Sequence, residues 1–196
     1  MKDHSLFLSI CLMIIIFTFL NSCKTSTEPI SNVGSMIIDH TKAKLSLLSS
    51  EKIENAKSKL HIAYGHTSHG SQIISGMEGL ITFKGSLYSF NNGGSDGSLD
   101  LRDRPFSGAS DLGNPDRTAW ATATRNYLEN NPDINVVIWS WCGQVSSASE
   151  EDINTYLNLM SQLESDYPSV KFVYMTGHLD GSGEVGNLNI RNEQIR

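Results

Sequence analysis

The chain has 196 residues, 39% hydrophobic and 18% charged, with five prolines. That is long enough for one domain with a buried core, and it excludes a disordered tail, a collagen and a coiled coil. Lys and Arg number 15 against 21 Asp and Glu, a formal charge of −6, which argues against a nucleic-acid partner.

Lys2 precedes an apolar run over residues 6–20. The run is short for a membrane span and right for the core of a signal peptide. Leu20-Asn21-Ser22-Cys23 follows directly, a small residue before a cysteine. This segment resembles the lipobox of bacterial lipoproteins. The resemblance implies removal of residues 1–22, lipidation of Cys23 and a membrane as partner through that anchor. The globular part is then expected outside the cytoplasm, in the bacterial cell envelope. An uncleaved N-terminal anchor is the alternative. Residues 24–35 are small and polar and complete a flexible tether over 23–35. The domain is expected over 36–196.

Three cysteines are present: Cys11, Cys23 and Cys142. With Cys11 in the signal and Cys23 acylated, Cys142 has no partner for an internal disulfide. It follows a strongly apolar stretch, so burial is expected over a nucleophilic role.

Residues 36–48 are loosely helical in spacing. A short serine-capped helix is predicted from Ser50 to Lys57, then a strand over 60–64 stopped by Gly65. Ile73, Ile74, Met77, Leu80 and Ile81 have helical spacing. Residues 87–90 suggest a short strand. Gly, Asp, Asn and Ser fill 16 of the 25 positions from 91 to 115, which predicts a long functional loop. Within it, Asp96-Gly97-Ser98-Leu99-Asp100 lacks the remaining ligands of a calcium loop and reads as solvated. Asn114-Pro115-Asp116 is a helix-start signal, and the helix behind it should bury Trp120, Ala123 or Thr124, and Tyr127 with Leu128. Residues 134–139 are β-branched and nearly continuous, as in a strand buried on both faces. Ser149-Glu150-Glu151-Asp152 resembles a capping box, with Ile153, Tyr156, Leu157, Met160 and Leu163 marking its helix. Glu150-Glu151 and Glu164-Asp166 are read as helix-end and solvent-face charges. A buried strand over 170–175 and a helix opening at Asn187 complete the chain.

Alternating strands and helices predict an α/β three-layer sandwich with a mainly parallel sheet. Arg196 falls inside a polar helical pattern with no closing strand behind it. A fragment of a longer protein is therefore expected, with a complete but small sheet as the alternative.

Sites in parallel sheets form at the carboxyl ends of the strands. Here those ends carry Gly65-His66-Thr67-Ser68-His69-Gly70, then Ser140-Trp141-Cys142-Gly143-Gln144, then Thr176-Gly177-His178-Leu179-Asp180. Three of the six histidines lie there. A serine between a strand and a helix gains N–H donors for developing negative charge but needs a base. His178 is the first candidate, with Asp180 to orient it. His66 and His69 are closer in sequence, but neighbours along a tight turn point apart. The Gly143 N–H and the Gln144 amide are candidate oxyanion donors.

In this layout the chain resembles the SGNH (GDSL-like) hydrolases over roughly residues 59–180. Gly65-His66-Thr67-Ser68 stands where that family has its Gly-Asp-Ser motif, and Trp141-Cys142-Gly143-Gln144 where it has Gly-x-Asn. Gly94 or Gly108 would supply the middle glycine. The family's final Asp-x-x-His occurs nowhere in the chain. The resemblance implies a flavodoxin-like α/β sandwich and a serine esterase or acyl hydrolase, with Ser68 as nucleophile and no cofactor. A small-molecule or carbohydrate ester is the implied substrate.

Two other classes compete. His66, His69, His178 and Asp180 are sensible zinc ligands, which would make the protein a metal-dependent hydrolase. Trp120, Trp139 and Trp141 beside a polar loop suggest a non-catalytic glycan binder, with Trp141 the one expected near a site.

Overall fold

The computed structural model describes residues 36–42 and 44–196, which fall in two separate units. The expected signal peptide, Cys23 and the tether lie outside the described residues. Residues 36–42 hold one 3-10 turn, His40–Lys42, preceded by an Asx-type turn in which Thr41 donates to the Asp39 carboxylate. Among the described residues no helix is long and apolar enough to cross a membrane.

The larger unit is an α/β three-layer sandwich around a five-stranded, wholly parallel sheet. After a 3-10 turn at Leu45–Leu47 come α1 (Ser50–Lys59), β1 (His61–Gly65), α2 (Ser71–Lys84), β2 (Phe90–Asn91) and β3 (Leu99–Asp103). Then follow α3 (Ala119–Asn130), β4 (Val136–Trp139), α4 (Glu150–Asp166), β5 (Lys171–Val173) and α5 (Asn187–Ile195). The sheet order is β2-β3-β1-β4-β5. The chain leaves β1 toward β2 and β3 on one side and later crosses to β4 on the other. This makes the carboxyl ends of β1 and β4 a topological switch point, where ligands of open α/β sheets bind.

One face of the sheet carries Ala63, Val137, Trp139 and Phe172 into the main core, with Trp120 and Leu128 of α3 and Ile153, Tyr156 and Leu163 of α4. Ser149 and Asp152 form the capping box that starts α4. Gly65 is required by close approach, because a Cβ there would lie 2.3 Å from the Trp139 ring. On the other face α1 packs against β3, and neither α1 nor α2 fully buries any of its residues.

Four sequence expectations are corrected. The long loop from 91 to 115 contains β3, whose sequence Leu-Asp-Leu-Arg-Asp sets the charges of Asp100 and Arg102 inside the sheet. Those charges are tolerated because Arg102 bonds Asp100 at 3.1 Å and also Asp133, while His61 bonds Asp100 at 2.9 Å. The third helix starts at Ala119 rather than Asn114-Pro115, since Asp116 accepts the N–H groups of Thr118 and Ala119. The strand at 170–175 shrinks to three edge residues, with only Phe172 buried and Val173 37% exposed. Residues 36–48 form 3-10 turns in place of a helix.

The Asp100 cluster gives a pH prediction. Burial pushes the Asp100 carboxyl up, but Arg102, His61 and the Gly93 N–H together hold it below its usual 3.8. A depressed carboxylate adds stability above the unfolded value that is lost as pH falls through the folded one. Wild type should exceed Asp100→Asn in stability by about 2 kcal/mol at neutral pH, the scale of charge-assisted hydrogen bonds. Urea midpoints measured down the pH scale should show that gap closing below 3.8. A gap independent of pH would dissociate the stability from the ion pair.

Candidate functional site

The β1 ladder continues past the strand ends. Ser140 N–H donates to Gly65 O at 2.9 Å and Arg104 N–H to Tyr64 O at 2.8 Å, so the loops after β3 and β4 leave the sheet in fixed directions. The buried Tyr64 hydroxyl joins Gly70 O at 3.0 Å and Ser140 Oγ at 2.6 Å, tying the β1 loop to the β4 end. Desolvation pushes that phenol above its usual range, against the bond from Ser140, so it stays neutral.

Ser68 sits at the turn between β1 and α2, exposed, with φ +37°. A side chain is uncommon in this left-handed region, and such strain concentrates at functional turns. The two residues beside it fix its surroundings. Thr67 Oγ1 donates to Asp111 Oδ2 at 2.5 Å, and the His69 ring stacks on the His178 ring at 3.7 Å. The fold therefore brings the end of β1 together with the loop after β3 and the segment after β5.

His178 Nδ1 lies 2.9 Å from Leu179 O. A carbonyl only accepts, so Nδ1 carries the proton in the neutral ring and Nε2 keeps a lone pair. That Nε2 is covered and has no partner among the described residues. It lies near Gly143, since a Cβ placed on Gly143 would be 4.0 Å away. Asp180 does not orient this histidine. Its carboxylate accepts from Ser182, which with the other local hydrogen bonds draws its pKa down to about 2.

Among the described residues the Gly143 N–H has no acceptor. Gln144 is engaged at both ends: its Oε1 accepts from Cys142 N–H at 2.9 Å and its Nε2 donates to Asp111 Oδ1 at 3.1 Å. It shapes the loop where an oxyanion role was expected. Asp111, 1% exposed and also bonded to Gly113 N–H at 2.9 Å, is the shared anchor of three loops. Sequence reasoning missed it. Its one signal was an acidic residue amid loop glycines, too common to single out.

The other expectations sort clearly. His66 turns away from His69 and pairs through Nε2 with Asp103 Oδ1 at 2.6 Å. The zinc set of His66, His69, His178 and Asp180 is thus not assembled. Among the described residues the one group whose possible ligand atoms all lie within 4.8 Å is His61, Asp100 and Asp133, at the amino ends of the strands. Arg102 already neutralises both of its carboxylates. Cys142 is half-buried where burial was expected, with Sγ 4.0 Å from His69 Nδ1. Trp120, Trp139 and Trp141 are all buried, so none offers a ring face to a sugar; Trp141 Nε1 bonds Met175 O instead. Gly94 precedes β3, at the opposite end of the sheet from Ser68, while Gly108 lies in the loop after it.

A cleft of about 200 Å³ opens at the strand ends, lined by Gly65, His66, Thr67 and Trp139 and by Arg104 and Phe106 of the β3 loop; of the β1 turn it reaches Thr67, the residue before Ser68.

Compared with family models, with curated proteins and with solved structures, the chain matches none.

Proposed function

We propose that this protein is a serine acyl hydrolase of SGNH type, held on the extracytoplasmic side of a bacterial membrane by lipid on Cys23. The observation that carries the reading is the exposed, left-handed Ser68 next in the chain to His69, whose ring stacks at 3.7 Å on His178, a histidine whose Nδ1 is tied to a carbonyl. In the mechanism Ser68 Oγ attacks the ester carbonyl and its proton passes to His178 Nε2. The Leu179 carbonyl then does what a carboxylate does in other serine hydrolases, fixing the tautomer of the base. The Gly143 N–H donates to the oxyanion. The protonated His178 returns the proton to the leaving alkoxide, and water hydrolyses the acyl-serine by the reverse sequence. The anchor rests on residues 6–23 alone, and a carbohydrate ester fits the envelope setting and the polar loops.

A fluorophosphonate probe with mass mapping tests this. One adduct on Ser68 is expected, blocked by preincubation with an ester substrate. Turnover that survives the probe but is stopped by iodoacetamide would transfer the nucleophile's role to Cys142, whose Sγ is 4.0 Å from His69 Nδ1.

A further inference from the structure

The cleft at Thr67, one residue before Ser68, has an unusual lining for a chain of net charge −6: among the described residues that line it are Arg104 and no carboxylate. Arg104 is left-handed in backbone, at φ +48°, and its N–H is held by Tyr64 O at 2.8 Å. The edge of the sheet itself thus sets where the side chain departs. Its side chain is 67% exposed, and it forms one ion pair, Nε to Asp103 Oδ2 at 3.6 Å, beyond hydrogen-bond length. Asp103 is committed elsewhere, through Oδ1 to His66 Nε2 at 2.6 Å. Among the described residues the terminal nitrogens of Arg104 have no partner. Phe106, packed at 4.3 Å on Trp139, gives the same cleft an apolar wall. His66, 3% exposed, also lines the cleft and leaves Nδ1 without a partner.

A planar guanidinium with a free fork is matched by a carboxylate, which it binds through two parallel hydrogen bonds. We propose that this cleft receives a carboxylate of the substrate and that Arg104 selects it, so that the substrates are acidic esters. This rests on the hydrolase reading above.

The carboxylate could stand on the acyl group or on a sugar acid, and the test separates these. Wild type, Arg104→Gln and Arg104→Lys are compared on the acetate and the hemisuccinate of one phenol. Wild type should favour the hemisuccinate by about tenfold or more in kcat/KM, the scale of one charge-assisted pair. Arg104→Gln should bring that ratio to about one, and Arg104→Lys should keep part of it. Calorimetry with glucuronate against glucose reads the sugar-acid arm: glucuronate binding lost in Arg104→Gln supports the proposal even where the two phenyl esters are cleaved alike. Wild type showing neither ester preference nor glucuronate or succinate binding overturns it, as does a preference or binding that Arg104→Gln leaves unaltered. If neither ester is cleaved the hydrolase reading fails, whereas Arg104-dependent binding of succinate or glucuronate would still uphold the cleft.

Discussion

Ser68→Ala should lower turnover of an ester substrate by about a thousandfold or more, the loss that follows removal of a nucleophile acting with its base. The fold should be untouched, because Ser68 is exposed and its side chain closes no core contact. Ser68→Gly makes the sharper pair. A left-handed residue with a side chain carries about 1–2 kcal/mol of strain, most of which glycine relieves while adding unfolded-state entropy. This variant should be equally inactive yet more stable by up to about 1 kcal/mol. Urea midpoints and initial rates on the same preparations read both quantities. Retention of turnover by Ser68→Ala would remove the serine from the mechanism, and a destabilised Ser68→Gly would mean the turn is not strained.

Asp111→Ala should be the most damaging loop substitution, costing about 3–5 kcal/mol. Three donors lose their acceptor at once: the Thr67 hydroxyl, the Gly113 N–H and the Gln144 amide. Each hydrogen bond to a charged group is worth about 1.5–3 kcal/mol, and a buried donor left unpaired adds its own desolvation penalty. Asp111→Asn should cost less, since its carbonyl oxygen still accepts and the Thr67 hydroxyl can reverse its role. Turnover should fall in both variants, because Thr67 and Gln144 hold the loops that carry Ser68 and Gly143. Chemical denaturation measures the first effect, and kcat with substrate saturating measures the second. An Asp111→Ala protein as stable as wild type would show that the three loops are held by other contacts.

Most of the helices were legible from local signals, whereas the Asn114-Pro115 signal lay ahead of the true start of α3 at Ala119. Ser149 and Asp152 announce α4, and the spacing of Ile153, Tyr156, Met160 and Leu163 marks the face it buries. The strand at β4 was legible from its continuous β-branched residues, but it is fully buried only on the face of Val137 and Trp139, not on both faces as that pattern predicted. β3 was not. Its Asp100 and Arg102 are charged, and they become acceptable only when His61 and Asp133, distant in sequence, arrive to pair them.

The candidate site divides in the same way. Sequence alone placed Ser68, Cys142, Gly143 and His178 at strand ends, because in an alternating α/β chain the residues following each strand must emerge on one edge of the sheet. It also fixed the charge balance and the helix-start chemistry of α4. Only the tertiary structure decided which histidines meet. His66 and His69 are three residues apart, yet one is buried on Asp103 and the other stacks on His178. The turn at Ser68 rotates successive side chains to different sides, and the strand order decides what each side finds. Only the tertiary structure, likewise, made Asp111 an anchor and buried Trp141. Hydrogen-bond partners and solvent exposure are properties of chains brought together from far apart, and no local pattern encodes them.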